Sequence, residues 1–179
     1  PFGPLTITSG IRKIFVTGAN LPLMPSLSAR YILLHKEGKE FIIRGSASGS
    51  CRIPTLNDRY WGGENLYLKS EKAFTFETGT DYSLKRGVWS AELYGTLYKS
   101  RVRDWIRWLP AGTVWKPQNI PLVISTGVEA GGVIGIRQSG FSLQFTPGLT
   151  YTSIVTVQGL RKEDPSTGRQ LAYQPRLSA

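Results

Sequence analysis

Short runs of alternating apolar and polar residues, separated by glycine- and proline-bearing turns, are the feature that most limits what this chain can fold into. Phe141, Leu143 and Phe145 alternate with polar neighbours, which is the period of a half-buried β-strand. Phe74 and Phe76 alternate in the same way. Many such runs at a spacing of about 8–12 residues predict an antiparallel β-sandwich or barrel. We therefore expect a mainly β fold with extended termini.

Two glycine-bearing stretches are interpreted as turns. Gly38 lies between the strand-like runs Tyr31–Leu34 and Phe41–Arg44, and it can adopt the positive φ that a tight hairpin requires. The stretch Gly127–Gly135 has neither a following Gly-Lys-Ser/Thr nor a Gly-x-Gly-x-x-Gly pattern at the start of a helix, so it does not predict a phosphate-binding loop. It is interpreted as a turn between strands, with Gly135 as a bulge.

One segment favours a helix. Val102, Trp105, Ile106 and Leu109 follow the i, i+3, i+4, i+7 spacing of an amphipathic helix, and Pro110 is placed to end it. We therefore predict one short helix over about residues 100–109, with a strand as the alternative.

Length and hydropathy favour a single domain that does not enter a membrane. A chain of 179 residues usually forms one domain, and we divide it into a β-rich domain at 1–160 and a polar C-terminal arm at 161–179. Its apolar runs are far shorter than the ~20 residues of a membrane-spanning helix. The first residues lack the pattern of a signal peptide. These observations predict a protein made in the cytoplasm that has no membrane partner.

Residues for catalysis and metal binding are scarce. The sequence has one Cys (Cys51), one Met and one His (His35), which excludes a disulfide framework and the Cys/His sets of zinc sites. Any Ser-His-Asp or Cys-His mechanism would depend on His35 alone. Asp58 and Glu64 are the least implausible carboxylate pair for glycoside chemistry. We expect no enzyme activity, no cofactor and no metal.

Positive charge and aromatic residues are concentrated in one segment. The formal net charge is +10, and the segment Lys85–Lys116 has seven basic residues against two acidic ones, together with four of the five tryptophans. Arg and Trp are enriched at the energetic centres of protein interfaces. This favours a docking surface for other subunits. The residues that we predict to form it are Trp61, Arg101, Arg103, Arg107, Trp108 and Arg176.

Two alternatives remain open at this point. Basic grooves lined by aromatic side chains bind single-stranded nucleic acid through phosphate contacts and base stacking. The residues for that alternative are Tyr98, Lys99, Arg101, Arg103, Arg107 and Trp108. A carbohydrate-binding domain centred on Tyr60 and Trp61 is the second alternative.

The pattern as a whole favours a part of a large assembly. Edge strands and flexible arms are commonly completed by neighbouring subunits. We therefore predict a non-enzymatic structural subunit of a protein particle, with a capsid decoration, neck or tail component of a bacteriophage virion as the favoured identity. Its expected partners are other protein subunits, including copies of itself, with nucleic acid as a further candidate.

Overall fold

One antiparallel sheet contains the strands of the described residues. The structure is a computed structural model that describes residues 4–17, 21–61, 65–161, 163–171 and 174–178. The elements are β1 (Leu5–Arg12), β2 (Met24–Lys36), β3 (Lys39–Arg52), α1 (Leu56–Tyr60), β4 (Glu71–Arg86), β5 (Trp89–Ala111), β6 (Val114–Gln138), β7 (Phe141–Phe145), β8 (Gly148–Gln158) and β9 (Leu177–Ser178). The strand order is β1-β2-β3-β4-β5-β6-β8-β9, with β7 also paired to β6. The prediction of a mainly β, antiparallel fold with one short helix is confirmed.

The two ends of the sheet differ in the length of their connections. At one end, which we call the hairpin end, turns of two residues join β2 to β3, β4 to β5 and β6 to β7. Gly38, Gly87 and Gly140 supply the positive φ values in these turns, at 70°, 59° and 78°. The predicted hairpin around Gly38 is confirmed. At the opposite end, which we call the loop end, the longer connections 13–23 and 53–70 accompany the tip of the β5–β6 hairpin.

The predicted helix at 100–109 is wrong because these residues lie inside β5, which pairs with β6 on both sides of Asp104. The helix α1 is instead a five-residue segment of the 53–70 connection. Its start is fixed by a capping box, in which Thr55 and Asp58 each bond the other's backbone N–H. Among the described residues, no helix is both long and apolar enough to cross a lipid bilayer.

Burial on both sides of the β5–β6 hairpin explains the helical spacing. Trp105 and Leu109 pack against a buried cluster with Leu171 and Ile120, whereas Ile106 is 4% exposed and its N–H bonds Glu71. A strand covered on both faces has no polar side, so its apolar residues do not alternate. The resulting pattern imitates the period of an amphipathic helix.

The backbone changes direction where this hairpin leaves the rest of the sheet. Asp104 has a φ of 56°, in the left-handed region. Beyond it the regular alternation is lost, since Ile120 and Val123, three residues apart, lie in the same buried cluster. The Asp104 carbonyl accepts a hydrogen bond from the Asn119 side chain at 2.7 Å. Residues 104–121 therefore form an upper hairpin that is distinct from the two-faced sheet below it.

The C-terminal residues cover one side of this upper region. Leu171 is 5% exposed, and its N–H donates to the Ile154 carbonyl at 2.8 Å. Isolated bridges join Gln170 to Val155 and Thr167 to Thr156. The division of the chain at residue 160 stays a prediction.

Candidate functional site

One face of the sheet is apolar and uncovered. Strand registers place alternate residues of β1–β6 and β8 on this apolar face. Its large side chains are 40–75% exposed. They include Leu5, Ile7, Ile11, Leu27, Tyr31, Ile43, Phe74, Phe76, Leu93, Leu97, Val128, Leu149, Tyr151 and Val157. A continuous apolar surface of this kind needs an apolar covering, because soluble monomers rarely expose an apolar patch of more than a few hundred Å².

The height of the apolar face is that of a bilayer core. On β5 the positions of this face run from Trp89 through Leu93 and Leu97 without a charge, and Lys99 is the first charged one. Ten residues at about 3.3 Å each span about 33 Å along the strand, and the tilt of about 40° typical of outer-membrane barrel strands converts this length to a height of roughly 25 Å. Outer-membrane barrels have an outward apolar band of about 25 Å. Trp89 marks the boundary of the band at the hairpin end, beside Arg86.

The opposite, polar face is lined by Ser, Thr, Tyr and charged side chains. Arg44 on β3 is its central cation: Nε donates to the Asp81 carboxylate at 3.1 Å and a terminal nitrogen donates to Thr96 Oγ1 at 2.6 Å. Gly79 lies beneath this group, and a Cβ there would lie 3.1 Å from the Arg44 guanidinium. The two acids Glu77 and Glu129 line the same open hollow as Arg44. This face therefore has a polar, mixed-charge surface suited to water and polar solutes.

Glycines in β6 make room for tyrosines on the polar face. Tyr98 lies over Gly127, where a Cβ would collide with its ring, and its hydroxyl is 2.9 Å from Thr152 Oγ1. Tyr94 covers Gly131 in the same manner, with its hydroxyl oxygen 2.7 Å from the position of a Cβ. The interpretation of Gly127–Gly135 as a turn is wrong, because these residues lie within β6. The glycines support aromatic side chains that cross from the neighbouring strand.

A polar network at the loop end ties the 53–70 connection to the upper hairpin. Asp58 is 5% exposed and accepts hydrogen bonds from Thr55 N at 2.9 Å and from Trp108 Nε1 at 3.1 Å. Arg52 lies 3.4 Å from Asp58 and 2.6 Å from Glu71. Burial by itself raises the pKa of Asp58, but the hydrogen bonds from Thr55 and Trp108 and the charge of Arg52 outweigh it and lower that pKa below its ordinary value. The carboxylate therefore fastens the loop to the sheet.

The residues predicted as a protein interface do not form one surface. Arg101 and Arg103 lie on the apolar face near the loop end. The indole N–H of Trp108 donates a hydrogen bond to Asp58. Trp61 is the C-cap residue that follows α1, and 68% of its surface is exposed. The remaining two, Arg107 and Arg176, lie in the upper hairpin and immediately before β9. Their roles in docking stay predictions.

The sheet divides the residues of the nucleic-acid alternative, and the carbohydrate alternative stays a prediction. Of the nucleic-acid set, Tyr98 is on the polar face, whereas Lys99 and Arg101 are on the apolar one. Of the carboxylate pair considered for glycoside chemistry, Asp58 is buried in the loop network and Glu64 lies outside the described residues.

An antiparallel sheet with one exposed apolar face, one polar face and short turns at one end has the pattern of the wall of a membrane-spanning β-barrel. A family model described as TonB dependent receptor-like, beta-barrel matches residues 1–179. The chain belongs to this TonB-dependent receptor-like β-barrel family. No curated protein matches the sequence.

The family overturns the function and the location predicted from the sequence. A phage structural subunit in a virion is wrong, and so is the expectation of no membrane, because the family is one of outer-membrane receptors. The error has a physical origin. Membrane strands alternate apolar and polar residues as soluble strands do, so no long apolar run reveals them. The signal that was available is the absence of charge at every second position of β5 between Trp89 and Leu97.

Proposed function

We propose that this chain forms part of the wall of an outer-membrane receptor that passes a polar solute along its inner face. The observation that carries the proposal is the pair of opposite faces on the same strands. One is apolar over roughly 25 Å, and the other has the Arg44–Asp81 pair with Glu77 and Glu129 around it. Charges of both signs on one side and none across the apolar band of β5 fit a wall between water and lipid.

The connections support one orientation. Bacterial outer-membrane barrels have short turns on the periplasmic side and longer loops outside the cell. Turns of two residues at Gly38, Gly87 and Gly140 therefore support a periplasmic position for the hairpin end. The upper hairpin and α1 then project from the cell surface, where a receptor first meets its solute.

Passage of a solute needs binding groups and no bond-making chemistry. The polar face offers hydroxyls and balanced charge, with Arg44 paired to Asp81 and Tyr98 bonded to Thr152. Such a surface gives a solute many weak, exchangeable hydrogen bonds, each worth about 0.5–1.5 kcal/mol. We therefore propose that the protein acts without catalysis.

Cysteine labelling of adjacent residues tests the assignment of the faces. In a Cys51→Ser background, Val128→Cys places a thiol on the apolar face and Glu129→Cys places one on the polar face of the same strand. In the membrane-assembled protein we expect a bilayer-partitioned maleimide to label position 128 and a membrane-impermeant maleimide to label position 129. Equal labelling of both thiols by the impermeant reagent would refute a lipid-facing surface.

Insertion of a short epitope tag tests the orientation. A tag at Gly112–Thr113, the tip of the upper hairpin, should bind antibody on intact cells. A tag at Gly87–Val88 should bind only after the outer membrane is permeabilised. The reverse result would reject the assigned orientation, and binding to neither tag in permeabilised cells would reject membrane assembly.

A further inference from the structure

Four cations stand at the loop-end boundary of the apolar face. We call Lys72, Lys99, Arg101 and Arg103 the basic cluster. Lys72 is paired across strands with Arg103, Phe74 with Arg101 and Phe76 with Lys99. All four cations are exposed, and within the described part of the chain no hydrogen bond or ion pair to a carboxylate is found for them. Like charges directly opposite each other destabilise a sheet, so packing does not explain the cluster.

An apolar groove adjoins the basic cluster. It has a volume of about 620 Å³, and its walls include Leu23, Met24 and Pro25 on one side and Phe74 and Phe76 on the other. The four cations line the same groove. A ligand that fits it therefore has an anionic group and a hydrocarbon portion.

The position of the groove selects the ligand. This step rests on the proposed function, in which the apolar face meets lipid and the loop end lies outside. On β5, Lys99 follows the last apolar residue of the band, Leu97, so the basic cluster lies at the height of the outer headgroups. Lysine and arginine near a membrane surface attract anionic lipid. In the proposed arrangement the acyl chains of neighbouring lipids cover the apolar face between the groove and the hairpin end.

We propose that the basic cluster binds the phosphate groups of an acylated lipid in the outer leaflet, with one acyl chain in the groove against Phe74 and Phe76. The arginine guanidinium donates two parallel hydrogen bonds to the oxygens of one phosphate, whereas the lysine ammonium attracts phosphate as a point charge. Bound lipid neutralises the repulsion between Lys72 and Arg103 and fastens the barrel wall to the leaflet around it.

Native mass spectrometry of the membrane-assembled protein in phosphatidylcholine nanodiscs tests the proposal. The probes are a diphosphorylated acylated disaccharide lipid, the same lipid without phosphate, and inorganic phosphate. We compare wild type with a Lys99→Gln, Arg101→Gln, Arg103→Gln variant. The matched control is Lys36→Gln, Lys39→Gln, Arg86→Gln, which removes three exposed charges from the apolar face at the hairpin end.

At about fivefold in affinity for anionic lipid per cation, loss of three cations from the groove should weaken binding of the diphosphorylated lipid roughly 100-fold. The three control cations do not line the groove. The control variant and an Arg101→Lys variant, which keeps the charge, should bind it within a fewfold of wild type. The lipid without phosphate should bind wild type and the cluster variant with equal affinity.

Three results would overturn the proposal. The first is equal lipid affinity in the cluster variant and wild type. The second is competition by inorganic phosphate at concentrations comparable to the lipid, which would make the site one for free phosphate. The third is loss of self-association in the cluster variant with lipid binding intact, which would make it a protein interface. Thiol labelling at positions 128 and 129 separates failure of this proposal from failure of the proposed function.

Discussion

An arginine placed at Leu93 gives the sharpest test of the lipid-facing surface. Leu93 lies on the apolar face of β5, midway between Trp89 and Leu97, and its side chain is 40% exposed in the isolated chain. In the proposed arrangement the middle of the band lies at the bilayer midplane, where arginine on the lipid face of a barrel costs about 2–4 kcal/mol. At about 1.36 kcal/mol per factor of ten, Leu93→Arg should lower the equilibrium constant for membrane assembly by roughly 30- to 900-fold.

The matched control uses the same side chain on the other face. Ser83 lies on the neighbouring strand β4 and is paired with Glu40 on one side and Glu92 on the other. An arginine there meets two carboxylates and water, so Ser83→Arg should change stability by less than about 1 kcal/mol. The two substitutions add the same charge on adjacent strands at similar depth.

Urea titration of the protein in phospholipid vesicles, followed by tryptophan fluorescence, measures both variants. We expect a lower urea midpoint for Leu93→Arg and a midpoint near that of wild type for Ser83→Arg. Cell fractionation gives an independent reading, since Leu93→Arg should also reduce the amount recovered in the outer membrane. Equal effects of the two arginines, or no effect of Leu93→Arg, would contradict the assignment of the apolar face to lipid.

Two further predictions concern the polar face and the loop end. Gly127→Ala should destabilise the protein by about 1–3 kcal/mol, because the new Cβ displaces the Tyr98 ring, whereas Gly148→Ala, with open space around its Cβ, should be nearly neutral in the same urea titration. Asp58 has a lowered pKa in the folded protein. Its contribution to the free energy of unfolding is therefore present above the unfolded pKa of about 3.9 and is lost as pH falls through the folded pKa. Protection factors for amide hydrogen exchange in the 53–70 connection should therefore fall below about pH 4, and Asp58→Asn should show lower protection already at about pH 7. Exchange in the Asp58→Asn variant equal to that of wild type would show that the carboxylate does not fasten the loop.

Much of the strand content was predictable, because alternation is a local property. Phe141, Leu143 and Phe145 lie in β7 as their spacing indicates, and Gly38 occupies its hairpin turn. Residues 100–109 could not be assigned in this way. Their covering comes from Leu171 and from the 53–70 connection, which are far away in sequence, so the pattern there reflects tertiary packing and not the period of a strand.

The site was harder to predict than the fold, because alternation shows which residues share a face but not which solvent that face meets. In a soluble sheet the apolar side of β5 covers a core, and the basic residues Lys99 and Arg101 would be surface charges that invite a docking partner. In a membrane the same apolar side faces lipid, and the same charges mark the height of the headgroups. The two cases differ only in what covers the apolar residues. The large side chains of this face are 40–75% exposed in the described chain, and the family is one of outer-membrane β-barrels. An exposed band without charge fits hydrocarbon outside the sheet, which is why we propose a place at the lipid headgroups for Lys99, Arg101 and Arg103, three of the basic residues first interpreted as binding protein or nucleic acid.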